Sequence, residues 1–420
     1  MTAGPIDITV PGDKSLSHRA VMLASIARGR SRITGVLDSA DVRSTAECMR
    51  RLGVAIPPIA SSMEITGGGV AGLEDPSQDL DCGNSGTSAR LLAGLVAGAG
   101  RTARFVGDAS LSKRPMRRVT EPLEKMGARI VPETNDGLPL RIIGGPLKPI
   151  EYTSPVASAQ IKSALLMAGL CARVRVVVHE PSRSRDHTER MLAALGVPVT
   201  VDGATVTLAA NAPDIDGFSF DVPGDPSSAA FFAAWAMLTG RAVRTSVIST
   251  NPTRTAFFDA LERVGATVTV ESRETRCGEP VGRFTIRGAI AKPFVLGPAG
   301  VPSMIDELPL VACLAACVPG ESRVTGAKEL RVKESDRIAA VVSNLRAIGA
   351  DAEELPDGFI VRGARKPYRG CVVTHGDHRI AMGFGVLGAA PGNAIEVDDP
   401  ACVAVSFPSF WDTLARLKSA

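Results

Sequence analysis

Five short basic loops, each running into an apolar stretch, carry the residues best suited to chemistry. They read P-G-D-K-S-L-S-H-R (Pro11 to Arg19), G-N-S-G-T-S-A-R (Gly83 to Arg90), L-S-K-R-P-M-R-R (Leu111 to Arg118), R-V-K-E-S-D-R (Arg331 to Arg337) and G-D-H-R (Gly376 to Arg379). A helix that starts at such a loop offers unpaired N–H groups and the positive end of its dipole, so an anion placed there is stabilised before any side chain acts. Lys and Arg then add charge-assisted hydrogen bonds of roughly 1.5–3 kcal/mol each. Lys333 and Arg337 stand four apart, which on a helix sets two positive charges side by side; an anion between them removes that repulsion. The chemistry implied is the binding of phosphorylated or carboxylated small molecules.

Other candidates are weaker one by one. Lys14, Ser15 and Arg19 also read as a solvated first turn with Ser15 as cap, and G-N-S-G-T as a capped turn. Gln160, in S-A-Q-I-K-S-A-L-L-M, opens an apolar helix, where it either caps the turn or faces a ligand. His187 reads as a satisfied helix-start histidine. Asp306 precedes a strongly apolar run, where an acid favours the helix dipole. Several basic loops, a helix-start Gln and acids at Asp306 and Glu334 together point to an enzyme with anionic substrates.

The elements that must position these residues repeat. An amphipathic run ending in an apolar residue, then Gly, then strand-like residues, recurs at Met49–Val54, Leu123–Ile130, Leu192–Val199, Leu261–Val268 and Leu345–Ala350, with a possible sixth copy near Leu414. The spacing is roughly 70 to 85 residues, and each Gly is placed to cap a helix in the left-handed region. V-P-G-D-K-S-L-S (Val10 to Ser17) and V-P-G-D-P-S-S-A (Val222 to Ala229) are each followed by a small-residue helix, so the chain reads as a duplicated half. The expectation is an α/β protein of about six units in two domains. One domain spans 14–222; the other spans 223–420 and is completed by residues 1–13. Crossovers fall near 13 and 223, and the site is expected in the cleft between the domains, which closes on its ligand.

Composition narrows the class. With 420 residues, 45% hydrophobic, and a net charge of only +3 without a long basic tract, the chain is not a general nucleic-acid binder. The eight Cys are scattered without a C-x-x-C pair, against a zinc site and in favour of reduced thiols; Cys313 and Cys317 read as small buried hydrophobes. M-T-A-G-P-I-D-I-T-V has neither the basic start nor the apolar stretch of a signal peptide, and the apolar runs are too short to cross a bilayer. A cytoplasmic protein without membrane or nucleic-acid partners is expected, working as a monomer.

The ordered set G-D-K-S-x-S-H-R, G-N-S-G-T, K-R-P-M, S-A-Q-x-K-S-A, S-R-D-H-T-E, K-E-S-D-R and G-D-H-R-I-A-M resembles the EPSP synthases, the 3-phosphoshikimate 1-carboxyvinyltransferase family of enolpyruvyl transferases. The resemblance implies two similar domains, each of three βαββαβ-type units forming an inside-out α/β barrel, and no metal or organic cofactor. It implies transfer of the enolpyruvyl group of phosphoenolpyruvate to the 5-hydroxyl of shikimate 3-phosphate, by addition to a tetrahedral intermediate and loss of phosphate. This is the glyphosate-targeted step of the shikimate pathway to chorismate and the aromatic amino acids.

By motif, Lys14, Ser15, Arg19, Ser158, Ala159, Gln160, Arg185, Asp306 and Lys333 would hold shikimate 3-phosphate. Lys14, Asn84, Gly86, Thr87, Arg114, Gln160, Arg337 and Arg379 would surround phosphoenolpyruvate. Asp306 would accept the 5-hydroxyl proton, with Lys333 and Glu334 handling protons at the enol carbon and Lys14 assisting. Three positions depart from the pattern: Val405 stands where many members have Lys, Ala159 where many have Ser, and Leu91 where many have Pro. The related UDP-N-acetylglucosamine enolpyruvyl transferases share fold and donor but carry K-N at Lys14-Ser15 and a reactive Cys in the Arg-rich loop, which is absent here. A non-catalytic phosphate- or RNA-end-binding protein would set stacking aromatics beside the basic loops, whereas Trp235 and Trp411 both lie in apolar segments.

Overall fold

The computed structural model describes residues 4–419. The chain divides into two compact units. The first comprises Gly12–Val222 with the turn Thr275–Glu279; the second comprises the chain up to Pro11, Pro223–Glu274 and the chain from Pro280 on.

The first unit contains helices α1 (Lys14–Ile26), α2 (Ala40–Arg51), α3 (Gly86–Gly98), α4 (Arg117–Lys125), α5 (Ala159–Ala172) and α6 (His187–Ala194). The second contains α7 (Pro226–Thr239), α8 (Ala256–Val264), α9 (Leu308–Ala316), α10 (Arg337–Ala347), α11 (His378–Gly388) and α12 (Phe410–Ser419).

A complete repeat is clearest around α3 and α4. Leu80–Asp81 leads through α3 to the parallel strand Ala103–Val106, then through α4 to the hairpin of Arg129–Pro132 and Leu140–Ile143, whose second strand pairs antiparallel with Ala103–Val106. The same order recurs around α5 and α6 and around α9 and α10. The order is thus strand, helix, strand, helix, strand, strand, which corrects the expected βαββαβ order. The parallel pair needs a crossover helix, while the closing antiparallel strands need only a short link, so the two helices come first.

Two repeats are completed by a strand from elsewhere in the chain. Ser219–Asp221 pairs parallel with Arg28–Thr34 in the first unit, and Ile6–Ile8 pairs parallel with Val243–Thr245 in the second.

Within each unit the odd-numbered helices are inside. From Leu16 to Ile26 in α1 and from Ile161 to Cys171 in α5 every residue is buried, and α7 is buried from Pro226 to Met237. Beyond their polar first turns these helices are almost wholly apolar, as suits a helix surrounded by protein, and the polar side chains they do bury are hydrogen-bonded or ion-paired inside. The even-numbered helices keep one polar side: α4 buries only Val119, Thr120, Pro122 and Leu123. Outer strands alternate, as in Ser62–Gly68, where Met63, Ile65 and Gly67 point inward. Each unit is therefore a ring of sheets around buried helices, with its own apolar core. Gly53, Gly127, Gly196, Gly265 and Gly349, just past α2, α4, α6, α8 and α10, all have positive φ, between 80° and 125°. That is the recurrent Gly of the sequence, releasing each outer helix into a strand.

Among the described residues no helix is long and apolar enough to cross a membrane.

Candidate active site

All five basic loops lead into helices. Lys14 begins α1, Gly86 begins α3, and the loop from Leu111 enters α4 at Arg117. Arg337 begins α10, and His378 begins α11 one residue before Arg379. The cap of α1 is Asp13, whose carboxylate accepts from Leu16 N–H at 2.9 Å, and not Ser15. Ser15 is thereby left half-buried at the helix start.

In the first unit the structure gathers Asn84, Gly86, Thr87, Arg90, Arg114 and Gln160. The cause lies deeper, where α3 and α5 touch backbone to backbone. A Cβ on Gly94 would stand 2.0 Å from the Ala164 carbonyl oxygen, and one on Gly98 would stand 2.3 Å from that of Ala168. With the helices so close, their first turns are neighbours. Gln160 Nε2 donates to Thr87 Oγ1 at 3.1 Å, and Arg90 Nη1 donates to Gln160 Oε1 at 2.6 Å. Arg114 Nη2 donates to Asn84 Oδ1 at 2.6 Å. Gly86 lies under both guanidinium groups: a Cβ there would be 2.9 Å from Arg90 Nη1 and 3.5 Å from Arg114 Nη1. Arg90 was missing from the expected site; it closes the G-N-S-G-T-S-A-R motif, but a single Arg inside an apolar helix carries no signal without its partner Gln160.

Lys14 and Arg19 leave α1 on the same unit. Lys14 Nζ lies 2.9 Å from Asp41 Oδ2, a partner on α2 that sequence reading did not single out. Arg19 is 4% exposed and works inside the fold: it donates to Thr188 Oγ1 at 2.7 Å, Ser163 Oγ at 2.8 Å and the Ser15 carbonyl at 2.9 Å. Burial among these neutral groups pushes its guanidinium down to about 10. Between the first two loops runs a buried chain, His18 Nδ1 to Thr45 Oγ1 (2.7 Å), Thr45 Oγ1 to Ser88 Oγ (2.6 Å) and Ser88 Oγ to Ser85 Oγ (2.8 Å). Burial, then the charges of Lys14 and Arg19, hold the His18 imidazole well below its ordinary range.

Ser158 caps α5, Ala159 and Gln160 are its first residues, and Arg185 lies in the loop before α6; all four are half-buried. His187 opens α6, fully buried with Nδ1 3.1 Å from Glu279 Oε1.

In the second unit Asp306, Lys333, Glu334, Arg337 and Asp377 form one charged cluster. Asp306 Oδ1 lies 3.2 Å from Arg337 Nη1 and 3.6 Å from Lys333 Nζ. Glu334 Oε2 lies 2.8 Å from Arg337 Nη2. Lys333 and Arg337 do not share a helix as expected: Asp336 caps α10, accepting from Ala339 N–H at 3.1 Å, so Arg337 is the first helical residue and Lys333 stays in extended backbone after the turn Lys328–Val332. The anion between them is the Asp306 carboxylate. Arg337 is 1% exposed; burial works against its charge, but Asp377, Glu334 and Asp306 outweigh it and hold the guanidinium above its ordinary value. Arg379 is buried, its guanidinium carbon 5.8 Å from the Phe231 ring centre. Val405 ends the short turn Pro400–Val405.

Each unit thus gathers cations and polar groups, buried or half-buried, at helix starts, and the second adds the Asp306 carboxylate, 14% exposed at its side chain, between two cations. That is equipment for binding polyanions and moving a proton. A solved structure of the enolpyruvyl transferase NikO from Streptomyces tendae shares this fold, with a TM-score of 0.73 over 99% of this chain and 95% of that one, at 18% identity.

The family is narrower. Residues 5–414 match the family model for EPSP synthase (3-phosphoshikimate 1-carboxyvinyltransferase). A solved EPSP synthase from Acinetobacter baumannii is 40% identical, with a TM-score of 0.85 over 99% of this chain and 97% of that one. The 3-phosphoshikimate 1-carboxyvinyltransferases of Gloeobacter violaceus and Geobacillus thermodenitrificans are 45% and 46% identical, over 98% of this chain and 96% of each relative. The chain belongs to the EPSP synthase family.

Proposed function

We propose that the chain transfers the enolpyruvyl group of phosphoenolpyruvate to the 5-hydroxyl of shikimate 3-phosphate and releases phosphate, and that it does so as a monomer in the cytoplasm. The observation that carries the reading is the pairing of cationic helix starts with one carboxylate, Asp306, held between Lys333 and Arg337 and still 14% exposed at its side chain.

Ser15, Ser158, Ala159, Gln160 and Arg185 take shikimate 3-phosphate, with Arg19 shaping the pocket from inside through Ser15, Ser163 and Thr188. Lys14, Asn84, Gly86, Thr87 and Arg114 take phosphoenolpyruvate, with Arg90 holding Gln160 and Thr87 in register. Arg337 and Arg379 also take phosphoenolpyruvate.

Asp306 accepts the 5-hydroxyl proton as the oxygen adds to the enol carbon, while Lys333 or Glu334 protonates the methylene. The cations stabilise the charge that develops on the departing phosphate. The new methyl group then returns a proton to the group that supplied it while phosphate departs, taking up the proton held on Asp306, and the enol ether is left.

Asp306→Ala tests the assignment. It should lower kcat by about a thousandfold, within the usual range for a general base, and shift the KM for shikimate 3-phosphate only a few-fold. A kcat within a few-fold of the parent removes Asp306 from the chemistry.

A further inference from the structure

Lys162, Glu180 and Glu189 have no part in the roles above, yet they form a tight ionic cluster inside the first unit. Their side chains are 1%, 1% and 2% exposed, and Lys162 Nζ lies 2.6 Å from Glu180 Oε2 and 2.8 Å from Glu189 Oε1. Three charges withdrawn from water recover little of their lost solvation by mutual attraction, so stability alone does not account for them; apolar side chains of similar size would serve it as well. What they do provide is direction.

Glu180 joins three stretches of chain. Its Oε1 accepts from the Ser158 N–H at 3.2 Å and from Ser184 Oγ at 2.5 Å, and its Oε2 accepts from the Ser184 N–H at 3.4 Å while facing Lys162. Ser158 is the cap of α5, Lys162 lies one turn into it, and Ser184 directly precedes Arg185 in a loop without regular structure. Lys162 carries the connection on to α6 through Glu189. A single carboxylate therefore sets where Ser158 stands relative to Arg185, and its own place is set by a buried counter-charge whose other partner is on the next helix.

We propose that Glu180 is a positioning residue for shikimate 3-phosphate, fixing Ser158 and Arg185 at one separation with Lys162 as its anchored counter-charge. The inference rests on the assignment of Ser158 and Arg185 to that substrate. Glu180 itself touches no substrate; it acts by removing the freedom of two groups that must meet one phosphorylated ligand together.

The test is steady-state kinetics on the full-length enzyme with each substrate varied in turn, for Ser184→Ala, Glu180→Ala, Glu180→Gln and Arg185→Ala, beside thermal melts. Ser184→Ala and Glu180→Ala should raise the KM for shikimate 3-phosphate about tenfold, the scale of one lost charge-assisted hydrogen bond, with the KM for phosphoenolpyruvate within about twofold. Glu180→Gln, which keeps an acceptor oxygen for Ser158 and Ser184, should recover part of that loss. Ser184→Ala deletes one hydroxyl and carries the same expectation if Glu180→Ala does not fold. Melting temperatures that fall while neither KM moves, or two KM values that rise together, would mark the cluster as structural and overturn the proposal. Arg185→Ala separates the two layers. If it leaves the KM for shikimate 3-phosphate unchanged, the substrate assignment fails and the inference falls with it. If it raises that KM while the Ser184 and Glu180 variants do not, the inference alone fails.

Discussion

Arg337 and Asp377 form a bidentate pair, Nε to Oδ2 at 2.8 Å and Nη2 to Oδ1 at 3.1 Å, with both residues buried to within 1%. Asp377 also caps α11, accepting from Arg379 N–H at 2.9 Å, and accepts from Ser335 Oγ at 2.9 Å. The K-E-S-D-R and G-D-H-R motifs, forty residues apart in the chain, are thus a single structural device, and the orientation of Arg337 toward Asp306 and Glu334 depends on it. Removing one partner of a buried pair strands the other charge, which costs about 3–5 kcal/mol. Asp377→Ala should lower unfolding free energy by that amount in urea titration, and a loss below about 1 kcal/mol would show that Arg337 is held by its other partners.

Gly86→Ala places a methyl 2.9 Å from Arg90 Nη1 and near Arg114 Nη1. Side-chain ends can move, so the fold should survive, but both cations shift. The expected result is a rise of about tenfold in the KM for phosphoenolpyruvate, with a melting temperature close to the parent's, since Ala is a good helix former. An unchanged KM would separate these arginines from the donor.

Gly94→Ala meets backbone, not side chain: the new Cβ would be 2.0 Å from the Ala164 carbonyl. The helices must part, at a cost of about 1–3 kcal/mol or more for overpacking. Chemical denaturation should show that loss together with weaker binding of both substrates, because α3 and α5 carry Thr87 and Gln160 in register.

His18 supplies a pH dependence. Its folded-state value lies well below the ordinary 6.5, chiefly through burial. Below pH of about 6.5 the unfolded chain takes up a proton that the folded chain refuses, so stability is full above that pH and is lost as pH falls, by at most about 1.4 kcal/mol per unit. His18→Gln should flatten the stability profile between about pH 6.5 and 5 relative to the parent, measured as the difference between the two profiles. Parallel profiles would show that His18 titrates normally.

Much of this was legible in the chain. The loops with Lys14, Gly86, Arg337 and Arg379 announced helix starts because Gly, Asp and Ser before an apolar run have few other uses, and the recurrent Gly marked the ends of the outer helices because positive φ demands it. The order of strands within a repeat was not legible, since short apolar runs do not say which partner they pair with. Nor were Asp41, Arg90, Glu180 and Asp377 singled out as partners. Each matters through a contact with a residue between 18 and 70 positions away, and no local spacing encodes that. The reading of Lys333 and Arg337 as helical neighbours failed because the cap at Asp336 moved the helix start to Arg337.

The most direct test of enolpyruvyl transfer to shikimate 3-phosphate is phosphate release by the purified protein given phosphoenolpyruvate with shikimate 3-phosphate, run beside phosphoenolpyruvate with UDP-N-acetylglucosamine. Release is expected with shikimate 3-phosphate alone, and its loss in Asp306→Ala. Release with UDP-N-acetylglucosamine, or silence with both acceptors from a folded sample, would contradict it.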